Sequence, residues 1–201
     1  MEMYRYRRLT PDERAEAVRQ RQERGYPLHS PPHPFRHAGH YLVTGVNFEH
    51  AHILASSMRR TEFETHLLQE ATNAGIDVCG WVILPNHYHI LVDVDTLEQV
   101  SATLQHLHGT TARVWNVADG LTGKRKIWYK YYDRAIRDDN HFFRALNYIH
   151  FNPVKHGYVD SPYDWPWTSV ESYVRLHGRE WMRDLWRSFP PGEFGAGWDD
   201  E

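Results

Sequence analysis

Three things are scarce in this chain, and each scarcity closes off a class of protein. There is one cysteine, Cys79, among 201 residues, which excludes an internal disulfide framework and a thiolate zinc cluster. Cys79 stands in the apolar run "IDVCGWVIL" and reads as a buried, inert thiol. Long hydrophobic runs are missing too: no stretch approaches the ~20 apolar residues of a membrane helix. The opening segment, "MEMYRYRRLTPDERAEAVRQRQERGYP", lacks the apolar centre of a secretory signal. The expectation is a soluble protein of a reducing, intracellular compartment, with no membrane partner. Charge of one sign is the third scarcity. Lys and Arg number 23 against 26 Asp and Glu, for a net charge of −3 with the 15 histidines neutral. Whether such a chain meets nucleic acid depends on local clustering of its basic groups.

What is present suffices for one ordinary domain with appendages, since 41% of the residues are hydrophobic and 14% aromatic. Thr10 to Gly25 reads as a charged helix, with Thr10 as cap and Pro11 in the first turn. A Pro-rich linker, "YPLHSPPHPFRHAGH", follows. Residues 1–37 are accordingly assigned to an N-terminal extension. The run "HYLVTGVNF" alternates like a strand, and "RRTEFETHLLQEATNA" repeats apolar residues at helical spacing. "IDVCGWVIL" and "HYHILVDV" flank Pro85-Asn86 as a hairpin. "LEQVSATLQHLHGTTARVWN" predicts a helix, "IWYKYYDRAI" a fourth strand, and "HFFRALNYIHFN" a helix closing at Pro153. This order predicts an α+β fold, a ferredoxin-like antiparallel sheet with its helices on one face, over residues 38–160. Residues 161–201, rich in Trp, Pro and Gly, read as an irregular tail packed on that domain.

Within "PNHYHILV", His87 and His89 are two residues apart on a strand and so share a face, opposite Tyr88, Ile90, Val92 and Val94. Two imidazoles complete no site alone. On the last helix, Tyr148 and Asn152 stand four residues apart on one face. If that helix covers the histidines, two imidazoles, an amide oxygen and a phenol meet. Such a nitrogen–oxygen set suits Mg²⁺ or Mn²⁺ whose shell is completed by phosphate oxygens and water. A phenol beside it can attack a phosphodiester and form a phosphotyrosyl intermediate.

Basic residues do cluster. Lys124, Arg125, Lys126, Lys130, Arg134 and Arg137 are interleaved with Trp128, Tyr129, Tyr131 and Tyr132. Cations can follow phosphates while rings stack on unpaired bases. Arg5, Arg7 and Arg8 form a smaller cluster, and Lys155 and His156 follow the last helix. Other histidine pairs fit a site less well. His50 and His52 stand at an expected turn, and His106 and His108 diverge around a helix axis.

"PNHYHILV" resembles the histidine–hydrophobic–histidine motif of the HUH single-strand endonucleases. "YIHFNPVKHGYV" is similar to the tyrosine-helix signature of the single-tyrosine transposases, the REP-associated tyrosine transposases in particular. The resemblance spans residues 40–159. It implies metal ligation by His87 and His89, with Asn152 completing the site where insertion-sequence relatives usually carry Gln. It implies Tyr148 as the nucleophile that cuts hairpin-bearing single-stranded DNA, leaving a 5′-phosphotyrosine and a free 3′-OH. A cytoplasmic, nucleoid-associated location goes with it; monomer and homodimer stay equally open. Two other functions fit the residues alone. One is a metal phosphoesterase using water as nucleophile, and the other is a module that binds nucleic-acid hairpins without cutting them. The histidine-triad hydrolase pattern fits less well, because Leu91 stands where a third alternating histidine belongs.

Overall fold

The computed structural model describes residues 10, 12–13, 15–16, 19–20, 38–121 and 125–195. In the N-terminal extension Thr10 caps as expected: its Oγ1 accepts from the Glu13 N–H, and Glu13 Oε2 accepts from the Thr10 N–H.

The core follows the expected order. Strand β1 is Gly39–Val46, helix α1 Ser57–Asn73, strand β2 Asp77–Ile83 and strand β3 His87–Val94. Helix α2 is Leu97–Ala118, strand β4 Tyr132–Ala135 and helix α3 Asp139–Lys155. Sheet order is β2-β3-β1-β4, and every pairing is antiparallel. Ser56 caps α1 by accepting from the Arg59 N–H, and Asp138 caps α3 by accepting from the His141 N–H.

Helices cover both faces of this sheet, not the single face expected. The reason lies in β1 and β3, each of which is apolar on both sides. Tyr41, Val43, Tyr88, Ile90, Val92 and Val94 pack against α1 and α2 through Phe63, Leu67, Leu104 and Trp115. Leu42, Val82, Leu84 and Leu91 form a second apolar face, and Ala145, Leu146 and Ile149 of α3 cover it. Close approach of α3 depends on Gly80, at a bulge in β2, where a Cβ would stand 2.6 Å from Leu146 Cδ1.

Three further differences have local causes. Only Tyr132–Ala135 of the expected fourth strand pairs continuously with β1, plus one bridge between Trp128 and Asn47. Trp128 leaves the ladder because its ring stacks on His108 at 4.3 Å and its Nε1 donates to Thr111 Oγ1. Pro153 lies inside α3, which runs on to Lys155. A proline so near the end removes a single helical hydrogen bond. The tail is not wholly irregular: a 3-10 turn, Pro162–Asp164, precedes helix α4, Val170–Ser188. Val170, Met182 and Leu185 bury one stripe of α4 among charged neighbours, and Gly178 (φ 86°) bends it.

Buried imidazoles tie these layers. His150, under α4, shares a hydrogen bond with Ser169 Oγ at 3.1 Å and accepts from Trp186 Nε1 at 3.3 Å. His108 shares one with the Tyr88 hydroxyl at 2.8 Å. Burial pulls both down to about 3, so both are neutral in the folded protein at neutral pH. Unfolded, each takes a proton below about pH 6.5. Stability should therefore be fully present above that pH and fall by about 1.4 kcal/mol per pH unit for each histidine as pH drops toward the folded values. Urea unfolding at stepped pH should show this slope, and His108→Gln should remove one histidine's share.

Candidate active site

The site forms where α3 crosses the start of β3. The pleat of β3 puts His87 and His89 on the α3 side, and both are buried. Tyr148 and Asn152, one turn apart on α3, face them and are 2% and 0% exposed. Asn152 Oδ1 lies 3.3 Å from His87 Nε2, and the Tyr148 hydroxyl 3.4 Å from His89 Nε2. The imidazole centroids are 5.0 Å apart. The four residues expected to meet do meet.

Two neighbours fix the imidazoles. His87 Nδ1 donates to Asn86 Oδ1 at 2.7 Å, and His89 Nδ1 shares a 2.8 Å hydrogen bond with Thr44 Oγ1. Both Nε2 atoms face the space shared by Asn152 and Tyr148. The Tyr148 hydroxyl shares a hydrogen bond with His89 Nε2. His87 Nε2 faces Asn152 Oδ1 at 3.3 Å, so an imidazole nitrogen and an amide oxygen stand side by side as donors a divalent cation could share. Among the described residues no three His, Cys, Asp or Glu side chains gather as a metal-holding group. The two imidazoles and the amide oxygen that do gather are a donor set that fits Mg²⁺ or Mn²⁺.

The rim is cationic and aromatic. Lys155 Nζ lies 5.3 Å from the Tyr148 ring centroid and donates to the Gly195 carbonyl at 3.4 Å. The His156 ring meets that of His87 at 5.1 Å. Phe194 packs 5.5 Å from Tyr148, and the Gly195 backbone presses so close that a Cβ would stand 2.2 Å from the phenol ring. Gly195 also has φ +78°, so glycine is required there twice over. On β4, Arg134 lies opposite Leu42 of β1, hence on the His89 side of the sheet. Burial and the charge of Arg137 pull its guanidinium below the ordinary value, while interaction with Tyr148 pushes it back up.

The remaining basic residues are dispersed. Arg125 is tied to Asp119 and Asn116, and Arg59 holds the same carboxylate. Lys126 lies over the Phe48 and Tyr129 rings at 4.9 and 5.0 Å. Arg137, with Arg134 and Arg144, pulls down His141, whose shift comes first from burial. Lys130 is exposed beside β4. Lys124, like Arg5, Arg7 and Arg8, lies outside the described residues. Cys79 is half-buried, and burial pushes its thiol up to about 11, in keeping with an inert role. Sequence reasoning missed Thr44, Phe194 and Gly195. Asn86 was visible in "PNHYHILV" with no role attached, whereas Thr44 becomes legible only through the pairing Thr44↔His89.

A family model described as "Transposase IS200 like" matches residues 40–152. A REP-associated tyrosine transposase of Escherichia coli strain K12 is 29% identical over 120 residues, covering 58% of this chain and 68% of that protein. A Haemophilus influenzae protein, named as a candidate REP-associated tyrosine transposase, is 27% identical over 131 residues, covering 60% and 74%. A solved structure described as a REP-associated tyrosine transposase bound to a REP hairpin superposes with a TM-score of 0.59. It is 22% identical and covers 73% of this chain and 86% of its own. That likeness bears on the fold: the α+β sheet with its helices. No helix among the described residues is long and apolar enough to cross a membrane.

The Tyr148 hydroxyl makes a long bond and the ring supplies the packing. Tyr148→Phe should therefore fold with a stability loss of about 1 kcal/mol or less, read by urea unfolding. A larger loss would mark the hydroxyl as structural.

Proposed function

The chain belongs to the IS200-like transposase family, and from that premise we propose that it is a single-strand DNA endonuclease and strand transferase acting on hairpin-bearing DNA. The observation that carries this reading is the convergence of His87 Nε2, His89 Nε2, Asn152 Oδ1 and the Tyr148 hydroxyl beneath α3. His87, His89 and Asn152 would hold Mg²⁺ or Mn²⁺, which, when bound, supplies polarisation of the scissile phosphate.

The residues do the rest. The Tyr148 oxygen bonds to phosphorus as the bond from phosphorus to the 3′-oxygen breaks. The phenolic proton passes to water, and the leaving oxygen takes a proton from water to become a 3′-OH. A 5′-phosphotyrosine diester remains, so one ester replaces another and the bond is kept for transfer to a second strand. Asn86 and Thr44 hold the imidazoles in the orientation that turns Nε2 inward. The hairpin preference is drawn from the relative whose structure holds a REP hairpin. Lys126, Lys130, Arg137 and the stretch from Lys124 are proposed to follow the DNA backbone, with Arg125 held toward Asp119. Residues 38–160 are proposed as the catalytic unit. A cytoplasmic, nucleoid-associated location follows from the same reading.

Incubation with single-stranded DNA carrying the palindromes that flank its own gene, with Mn²⁺, should give a covalent protein–DNA band on denaturing gels. Tyr148→Phe and EDTA should each abolish it. Cutting without the band, equal in Tyr148→Phe, would instead favour a phosphoesterase using water. Thr44→Val should weaken Mn²⁺ binding about 10-fold or more by titration calorimetry.

Because Tyr148 is 2% exposed under Phe194 and Gly195, DNA can reach it only when those residues move aside. Phe194→Ala should therefore form the adduct faster than the wild type in single-turnover assays.

A further inference from the structure

We propose that Arg134 and Lys155 form a two-cation clamp on the phosphodiester that Tyr148 attacks, making Arg134 a further catalytic residue. The inference rests on the reading of Tyr148 as nucleophile and adds to it the groups that take up the charge.

Strand β1 serves as the ruler. It pairs on one side with β3 and on the other with β4, so the registers Thr44↔His89 and Thr44↔Tyr132 set three residues in one row across the sheet. The next row on the same face is Leu91, Leu42 and Arg134. Alternate residues share a face, so Arg134 stands one step from the row of His89, the imidazole that Tyr148 touches. β4 is the outer strand, so Arg134 stands at the sheet edge on the face that α3 covers. Lys155 arrives from the other side. It lies seven residues, two helical turns, beyond Tyr148 and sets its ammonium 5.3 Å from the ring centroid. The electrostatic interaction of Arg134 with Tyr148 completes a bracket of two cations, one from the sheet edge and one from the helix.

The chemistry asks for this pair. As the tyrosyl oxygen closes on phosphorus, charge on the non-bridging oxygens grows and must be met by fixed cations. A guanidinium offers two parallel N–H groups to two such oxygens, and an ammonium adds a flexible point charge. Neither group gains or loses a proton in the step, so the bonds made and broken remain those of the esterification.

The test separates binding from chemistry. Wild type, Arg134→Ala, Arg134→Lys, Lys155→Ala and the surface control Arg187→Ala, whose exposed guanidinium pairs with Asp184 on α4, are given saturating single-stranded DNA bearing the flanking palindromes, with Mn²⁺. Adduct formation is followed in a single turnover, and Kd is measured separately over a range of salt. The clamp predicts a rate about 100-fold lower in Arg134→Ala, with Kd raised only a few fold. It predicts partial recovery in Arg134→Lys, a smaller loss in Lys155→Ala, and a saturated rate unchanged in Arg187→Ala. A saturated rate within twofold of wild type in Arg134→Ala, with weaker binding and a shallower salt dependence, would make Arg134 a backbone tether and overturn the clamp. A wild type that gives no adduct overturns the nucleophile assignment and the clamp with it, so the two failures read differently.

Discussion

The pleat of β3 is the constraint on which the site depends. Each step along a strand reverses the side chain's direction, so a histidine at 87 and another at 89 must emerge together. Ile90 and Val92 hold the opposite side in an apolar layer of buried rings and aliphatic chains, which fixes that direction. A one-residue slip of the β1–β3 register would exchange the faces, bury the imidazoles among α1 and α2, and separate His89 from Thr44. The meeting of the two imidazoles with Tyr148 is thus anchored by hydrophobic burial on the opposite side of the sheet.

Because β1 and β3 are apolar on both sides, the sheet needs a second cover, and α3 supplies it. Its buried face mixes Leu146 and Ile149, which pay for the contact, with Tyr148 and Asn152, which use it. A small residue at Gly80 brings the helix close. His150 then binds α3 to the start of α4 through Ser169, whose Oγ also accepts from the Trp81 N–H. Arg60 completes the brace: its guanidinium donates to the Leu54 and Ala55 carbonyls and lies 3.9 Å from the Trp167 ring centroid. The segment after α3 is therefore part of the support that holds the tyrosine helix at its distance from the imidazoles.

What the sequence disclosed follows from range. His87 with His89, and Tyr148 with Asn152, are pairs set by local periodicity, and the two pairs face each other between β3 and α3. Their meeting across the sheet followed from element order. Groups placed by register were less visible: Thr44 looks like any β-branched strand residue, and Arg134 one cation among six, until β1 is paired on both sides. Helix α4 was obscured by its flanks, because "SPYDWPWTS" and "FPPGEFGAGWDDE" carry turn-forming residues while the segment between keeps a buried stripe. Arg125 shows the converse error of range. It sits in a basic run along the sequence, yet a carboxylate six residues earlier holds it in space.

Net charge is a poor guide to this molecule for the same reason. The chain is slightly acidic overall, yet Arg134, Arg137, Arg144 and Lys155 all lie on or beside α3, the helix that carries the tyrosine. A local field of this kind acts within roughly 10 Å at ordinary salt, about the distance over which a phosphate must be positioned, while distant carboxylates are screened. Inside that range, burial strengthens each interaction by removing water. Tyr148 and its imidazoles occupy such a place, closed over by Phe194 and Gly195. Opening that cover would admit water, and in the proposed reaction the DNA backbone would take its place, a phosphate being favoured there by the cations at the rim.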